Sequence, residues 1–268
     1  MARGAFAKKA LGQNFLIDRN YIRKIVDSLD STESDTVIEI GPGRGAITEH
    51  LVESGANVIA IELDRDLVPK LREQFSERAN FTVVEADATE VDLSTLLKDQ
   101  SSKVRDQKAK LVANLPYYIS TPILQHISSQ KHLFKTLVLM FQKEVVDRIT
   151  AKPGDSERGF LTVIVEASFR VDKLFDVPPN AFRPVPKVIS SVARFTPKEA
   201  AIDNHEQLRK LVSTAFSQKR KTIFNNLKNV YPAAERSLEA AGVDPQLRAE
   251  SLTLDEWLSL AEELRMES

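Results

Sequence analysis

The sequence contains no cysteine. That excludes disulfides, thiolate catalysis and cysteine-ligated zinc, and it suits a reducing, cytoplasmic setting. Histidine is scarce: His50, His126, His132 and His205 are the only four. None of them falls at a metal-ligand spacing, so no metal is expected. Long apolar runs are missing too. The longest, Leu137–Phe141, is five residues, against the roughly 20 needed to cross a bilayer. The first residues, Met-Ala-Arg-Gly-Ala-Phe-Ala-Lys-Lys, lack the apolar core of a secretory signal. Net charge is nearly absent at −1, so any attraction to nucleic acid has to be local. One local excess is evident, because the first 24 residues hold six Lys/Arg against one Asp.

What is present is an ordinary globular balance, 42% apolar and 28% charged over 268 residues, enough for one large domain or two. Apolar runs at Thr36–Ile40, Asn57–Ile61, Phe81–Val84, Leu111–Ala113 and Thr136–Phe141 read as strands. Between them lie helical patterns following Gly45 and over Leu67–Phe75, Asp92–Lys98 and Thr121–Ser129, with another over Gln142–Thr150. Strands alternating with helices imply an α/β fold, a Rossmann-like, mainly parallel, doubly wound sheet. From Asp203 the character changes. Helical patterns at His205–Phe216, Arg220–Val230, Ala233–Ala241 and Leu254–Arg265 follow one another with no strand between. The expected domains are therefore 1–200, including a basic arm and cap over 1–35, and a small all-α domain over 201–268.

Gly41-Pro-Gly43-Arg-Gly45-Ala46 sits at a strand-to-helix junction, where glycines let backbone approach a ligand. Glu62 ends the next strand, suitably placed to accept from both hydroxyls of a ribose. Together they indicate a nucleoside-bearing cofactor; the Gly-x-Gly-x-x-Ala spacing alone also fits a nicotinamide. Asp87, after the third strand, can accept from an adenine amine or simply cap a helix. Gly12-Gln13-Asn14-Phe15-Leu16-Ile17-Asp18 can fold over the carboxyl edge of the sheet, or run into a helix capped by Asp18. Asn114-Leu115-Pro116-Tyr117 follows the fourth strand. There the Asn114 and Leu115 carbonyls can accept both hydrogens of an exocyclic amine while Tyr117 stacks on a flat ring. Val177-Pro-Pro-Asn-Ala-Phe182-Arg-Pro-Val-Pro-Lys187 is a proline-stiffened loop that presents Phe182 as a second stacking ring, unless Phe182 is simply buried. Arg3, Lys8 and Lys9 form one basic cluster and Lys219, Arg220 and Lys221 another.

Seven segments in register resemble one family over nearly the full length, the KsgA-type small-subunit rRNA adenine N6,N6-dimethyltransferases. They are Leu11–Asp18, Val37–Gly43, Val58–Asp64, Asn114–Ile123, Phe141–Val145, Val177–Val188 and Phe216–Thr222. The resemblance implies S-adenosylmethionine as methyl donor, S-adenosylhomocysteine as product and no metal. Asn14 and Leu16 would lie on the methionine side and Gly41 and Gly43 beneath it. Glu62 and Leu63 would meet the ribose, Asp87 and Ala88 the donor's adenine, and Asn114 would stand between donor and acceptor. The implied substrate is a pair of adjacent adenosines in a hairpin loop near the 3′ end of 16S rRNA, within a pre-30S or 30S particle. The protein would act as a monomer. Family members commonly carry Arg-Arg-Lys where this chain has Lys219-Arg220-Lys221, and a basic residue where it has Phe224. Two other readings remain: an Erm-type 23S rRNA dimethyltransferase, whose acceptor motif is usually Asn-Ile-Pro-Tyr, and a non-catalytic assembly or transcription factor on the same fold.

Overall fold

The computed structural model describes residues 13–100, 108–116, 119–199 and 205–266, with the side chains of 99, 100 and 205 left aside. Arg3, Lys8, Lys9 and Tyr117 lie outside the described residues. The described residues of Met1–Val146 and Arg170–Pro197 form one compact unit, and those of Asp147–Phe169 and Lys198–Ser268 a second. The segment 147–169, assigned from sequence to the first domain, packs with the second. Its helix, Phe160–Ser168, is apolar nearly all round. Val163, Ile164 and Ala167 join the core of the helical unit.

The first unit is built on a seven-stranded sheet. Its strands are β2 (Thr36–Ile40), β3 (Asn57–Glu62), β4 (Phe81–Glu85), β5 (Ala109–Asn114), β6 (Phe134–Gln142), β7 (Phe169–Val177) and β9 (Ser190–Pro197). They lie in the order β4-β3-β2-β5-β6-β9-β7. All pairings from β4 to β6 are parallel, while β9 runs antiparallel to β6. Buried on both faces, β2 and β3 read as near-continuous Val and Ile, as parallel strands do. Helices α1 (Arg19–Leu29), α2 (Ala46–Glu53), α3 (Val68–Gln74), α4 (Leu93–Gln100) and α5 (Ser120–Ser129) alternate with these strands, and α6 (Lys143–Ile149) follows β6. From β2 the chain steps outward to β3 and β4, then returns to β5 on the other side. The crossover direction therefore reverses between β2 and β5, and in open sheets ligands settle outside the carboxyl ends of the strands at such a point.

A separate two-stranded ribbon pairs β1 (Phe15–Leu16) with β8 (Phe182–Arg183), Phe15 opposite Arg183 and Leu16 opposite Phe182. The Ala181 carbonyl accepts from the Ile17 and Asp18 amides at 2.9 and 3.3 Å. Asp18 then caps α1, its carboxylate accepting from the Asn20 amide. Over the described residues 13–18 both readings from sequence thus hold together: the segment is a strap, and it ends in a helix cap.

The second unit contains α7 (Phe160–Ser168), α8 (His205–Ala215), α9 (Ile223–Leu227), α10 (Ala234–Ala240) and α11 (Leu254–Met266). They surround Trp257, which is fully buried and stacks on Phe216 at 5.9 Å. The Lys219-Arg220-Lys221 run was expected to begin a helix. It lies instead in the turn between α8 and α9, because the Thr222 hydroxyl caps α9 by accepting from the Asn225 amide. All three basic side chains are exposed, and Lys219 donates to the Ser156 carbonyl at 2.7 Å.

Candidate active site

At the carboxyl ends of β2, β3, β4 and β5 the first unit opens into a cleft, where ligands settle in open α/β sheets. Asn14, Gly41, Gly43 and Glu62 line it, as do Leu63, Asp87, Ala88 and Asn114. Residues from five separated stretches of sequence thus meet in one concave surface.

The floor is the loop after β2. Gly41 and Gly43 have φ of +68° and +59°, the left-handed region that glycine adopts without strain. A Cβ on Gly43 would stand 3.0 Å from the Phe15 ring, so the strap rests directly on this glycine. The Gly43 amide donates to Glu62 Oε2 at 3.0 Å and the Asp64 amide to Oε1 at 2.9 Å. Glu62 is thereby fixed at the tip of β3. Burial pushes its carboxyl above the ordinary range, with the Asp64 and Gly43 amides opposing and the Asp64 charge adding. Directly behind it, on β2, Glu39 is fully buried and accepts from the Thr48 hydroxyl at 2.6 Å. Burial raises Glu39 to about 7, the Thr48 bond working against that and Glu62 adding to it.

Asp87 heads a turn: its Oδ1 accepts from the Thr89 amide at 2.8 Å and the Thr89 hydroxyl at 2.7 Å. That bonding orients the carboxyl and commits only one of its two oxygens. Asn114 ends β5, and its Nδ2 donates to the Asn14 carbonyl at 3.2 Å. A carbonyl can only accept, so this contact fixes the amide flip and leaves Oδ1 as the acceptor for anything else. The strap therefore reaches the acceptor motif through its own backbone. Gln13 adds a second tie, donating to Asp64 Oδ2 at 2.8 Å. Gln13 and Asp64 were not singled out in the sequence; the Glu62-x-Asp64 spacing at a strand end was the available signal.

Two expected site residues sit elsewhere. Phe182, expected to stack on a base, is 1% exposed and packs in the core with Leu16, Ile22 and Val177. Pairing of β8 with β1 turns its ring inward and leaves Arg183 exposed, so Phe182 offers no face to a ligand. Leu16 is likewise buried and borders a neighbouring cleft. Phe15, Gly41, Gly43 and Asn114 line both clefts. Among the described residues no group of three or more His, Asp or Glu is arranged to hold a metal ion. No helix there is long and apolar enough to cross a membrane.

Comparison with known proteins agrees with this arrangement. Ribosomal RNA small subunit methyltransferase A of Geobacter metallireducens is 42% identical, over 96% of this chain and 95% of its own length. The crystal structure of a dimethyladenosine transferase from Plasmodium falciparum superposes with a TM-score of 0.78 at 27% identity, covering 94% of this chain and 98% of that one. That of the 23S rRNA methyltransferase ErmE gives 0.68, also at 27% identity, over 94% and 100%. The fold is thus shared by a protein named as a dimethyladenosine transferase and by one named as a 23S rRNA methyltransferase. The family model described as ribosomal RNA adenine dimethylase matches residues 5–266, and this chain belongs to that family.

Proposed function

We propose that this protein transfers methyl groups from S-adenosylmethionine to N6 of two adjacent adenosines in the 3′-terminal hairpin loop of 16S rRNA. It thereby gives N6,N6-dimethyladenosine during small-subunit biogenesis. The observation that carries this reading is the Asn14–Asn114 contact, which joins a nucleoside-shaped cleft to an amine-accepting motif.

The residues of the cleft fit the donor. Gly41 and Gly43 leave room for its methionine portion, and Glu62, held by two backbone amides, can accept from the ribose hydroxyls. Asp87 can accept from its adenine amine through the oxygen that Thr89 does not use. When bound, the donor supplies an electrophilic methyl on a sulfonium. Adenine N6 is a poor nucleophile because its lone pair is delocalised into the ring. Asn114 Oδ1 and the Leu115 carbonyl accept the two N6 hydrogens, which favours a pyramidal nitrogen with its lone pair free. Tyr117 stacks on the base, holding it out of its loop. The rate then comes mostly from positioning. Proton loss from the methylated nitrogen goes to water.

RNA docking relies mostly on phosphate contact and shape. Arg220 and Lys221 lie exposed in the α8–α9 turn beside Lys219, and Arg3, Lys8 and Lys9 form the second basic cluster. The small subunit is favoured over an Erm-type target by the 42% identity to small-subunit methyltransferase A and by Leu115 in the acceptor motif. A cytoplasmic monomer acting on a pre-30S or 30S particle completes the reading. Methylation of isolated 30S and 50S particles with labelled donor, followed by mapping of the modified bases, tests it. Dimethyladenosine at two adjacent positions of 16S rRNA is expected, and label confined to 23S rRNA would overturn the assignment.

A further inference from the structure

Of the six basic residues among the first 24, Arg19, Arg23 and Lys24 are on α1, and all three are exposed. Lys24 is engaged, with its ammonium 5.5 Å from the Tyr21 ring and 5.7 Å from the Phe175 ring. Arg19 and Arg23 have no hydrogen-bond or ion-pair partner among the described residues. They stand four residues apart on one row of the helix, where like charges repel. Arg19 is also in the first turn, which contains no acid. There the helix dipole disfavours a cation. The adjacent Asp18 carboxylate is committed to the cap, and Asp27, next on the same row, pairs with neither arginine. Local stability therefore gives no reason for two guanidiniums here.

Position supplies one. Arg19 lines the second cleft, which also reaches Asn114. Glu49 on α2 shares that rim and offsets part of its charge, whereas Arg23 lies one turn further out. A strand carrying a base to Asn114 has its phosphates at the rim of the site. The rise between Arg19 and Arg23, about 6 Å for four residues at ~1.5 Å each, is close to the separation of successive phosphates. Planar guanidiniums suit phosphate oxygens better than ammoniums do.

We propose that the exposed face of α1 carrying Arg19 and Arg23 binds phosphates of the RNA strand flanking the target adenosine. The proposal rests on the function given above and extends its docking surface to a third basic site, beside the cleft that reaches Asn114. Both side chains are exposed and unpaired, so Arg19→Gln/Arg23→Gln leaves the core untouched. Binding of this variant to 30S particles over a salt series should show a log–log slope smaller by about 1.4–1.8, at ~0.7–0.9 per lost phosphate contact. KM for the particle should rise while kcat at saturation holds. Arg19→Lys/Arg23→Lys keeps the charge and should keep most of the slope. An unchanged slope in the Gln variant, with wild type binding and methylating normally, overturns the proposal, as does a Lys variant that loses as much as Gln. Wild type that leaves 30S particles unmethylated overturns instead the function on which the proposal rests, a result read without any variant.

Discussion

Single residues at this site act through what holds them. Glu62 receives two backbone amides and is buried, so it is already aimed when a ribose arrives. Glu62→Ala should weaken S-adenosylmethionine binding by about 1–3 kcal/mol, the range for a charge-assisted bond. Calorimetry that finds equal affinity removes Glu62 from the donor site. Asn114 gives a sharper test, because its Nδ2 must donate to the Asn14 carbonyl for Oδ1 to face the acceptor. Ionised Asp cannot donate, and it would set an oxygen against that carbonyl. Asn114→Asp should therefore lose methyl transfer by about 10²-fold at neutral pH, the scale of a misplaced catalytic group. As pH falls and the carboxyl protonates, the loss should partly reverse. Single-turnover rates that fall in parallel with wild type as pH drops would rule out this orienting bond. Asn114, Glu62 and Asp87 were legible in the sequence because each ends or follows a strand in a fixed loop position. Phe182 was not. A proline-stiffened loop shows that an aromatic is held firmly, but the register of β8 against β1 decides which way its ring faces.

At the level of elements, the strap is the part whose role depends on its neighbours. β1 is only two residues long, and it is held by β8, by the Ala181 carbonyl and by the contact of Phe15 with Gly43. A side chain at Gly43 meets two obstacles, a φ of +59° and a Cβ position 3.0 Å from Phe15. Left-handed backbone costs an L-residue about 1–2 kcal/mol. Gly43→Ala should lower stability by about that amount. It should also displace the strap and raise the donor Kd by about tenfold, equivalent to ~1.4 kcal/mol. Thermal unfolding and calorimetry on the same sample check both, and wild-type donor affinity would show that Phe15 yields without moving the strap. Strands β2, β3, β5 and β6 were readable because parallel strands buried on both faces are short apolar runs between turn signals. The stretch over α7 was opaque for a related reason. Leu161–Val165 is apolar at every position but Thr162, so periodicity cannot tell helix from strand. The unit it joins is fixed by contacts distant in sequence, and so the 200/201 boundary drawn from composition differs from the observed division.

Over the whole molecule, the carboxylates with shifted acidity fall into two groups that separate by pH. Asp35 is partly buried, which would raise it, but bonds from Thr32 and Lys110 outweigh this and hold it low. The Ser191 hydroxyl holds Asp176 low despite some burial. Stability from these two is present above the ordinary carboxylate range and is lost only as pH falls through their lowered values. Glu39 and Glu62 behave oppositely. Their folded forms bind a proton more readily than the unfolded chain does, so their contribution is full below about 4.5 and is lost as pH rises through the raised value. For Glu39 the window runs from 4.5 to about 7. At ~1.4 kcal/mol per unit, wild type should lose about 3 kcal/mol across it relative to a variant that cannot ionise. Glu39→Gln keeps an oxygen for the Thr48 hydroxyl and supplies that reference. Unfolding of the unit that contains β2 should therefore depend less on pH in Glu39→Gln than in wild type, the variant gaining relative stability between pH 5 and pH 8. Chemical denaturation at the two pH values measures the difference directly. Parallel curves would mean that Glu39 stays ionised inside the fold, with its charge compensated by more than the Thr48 bond.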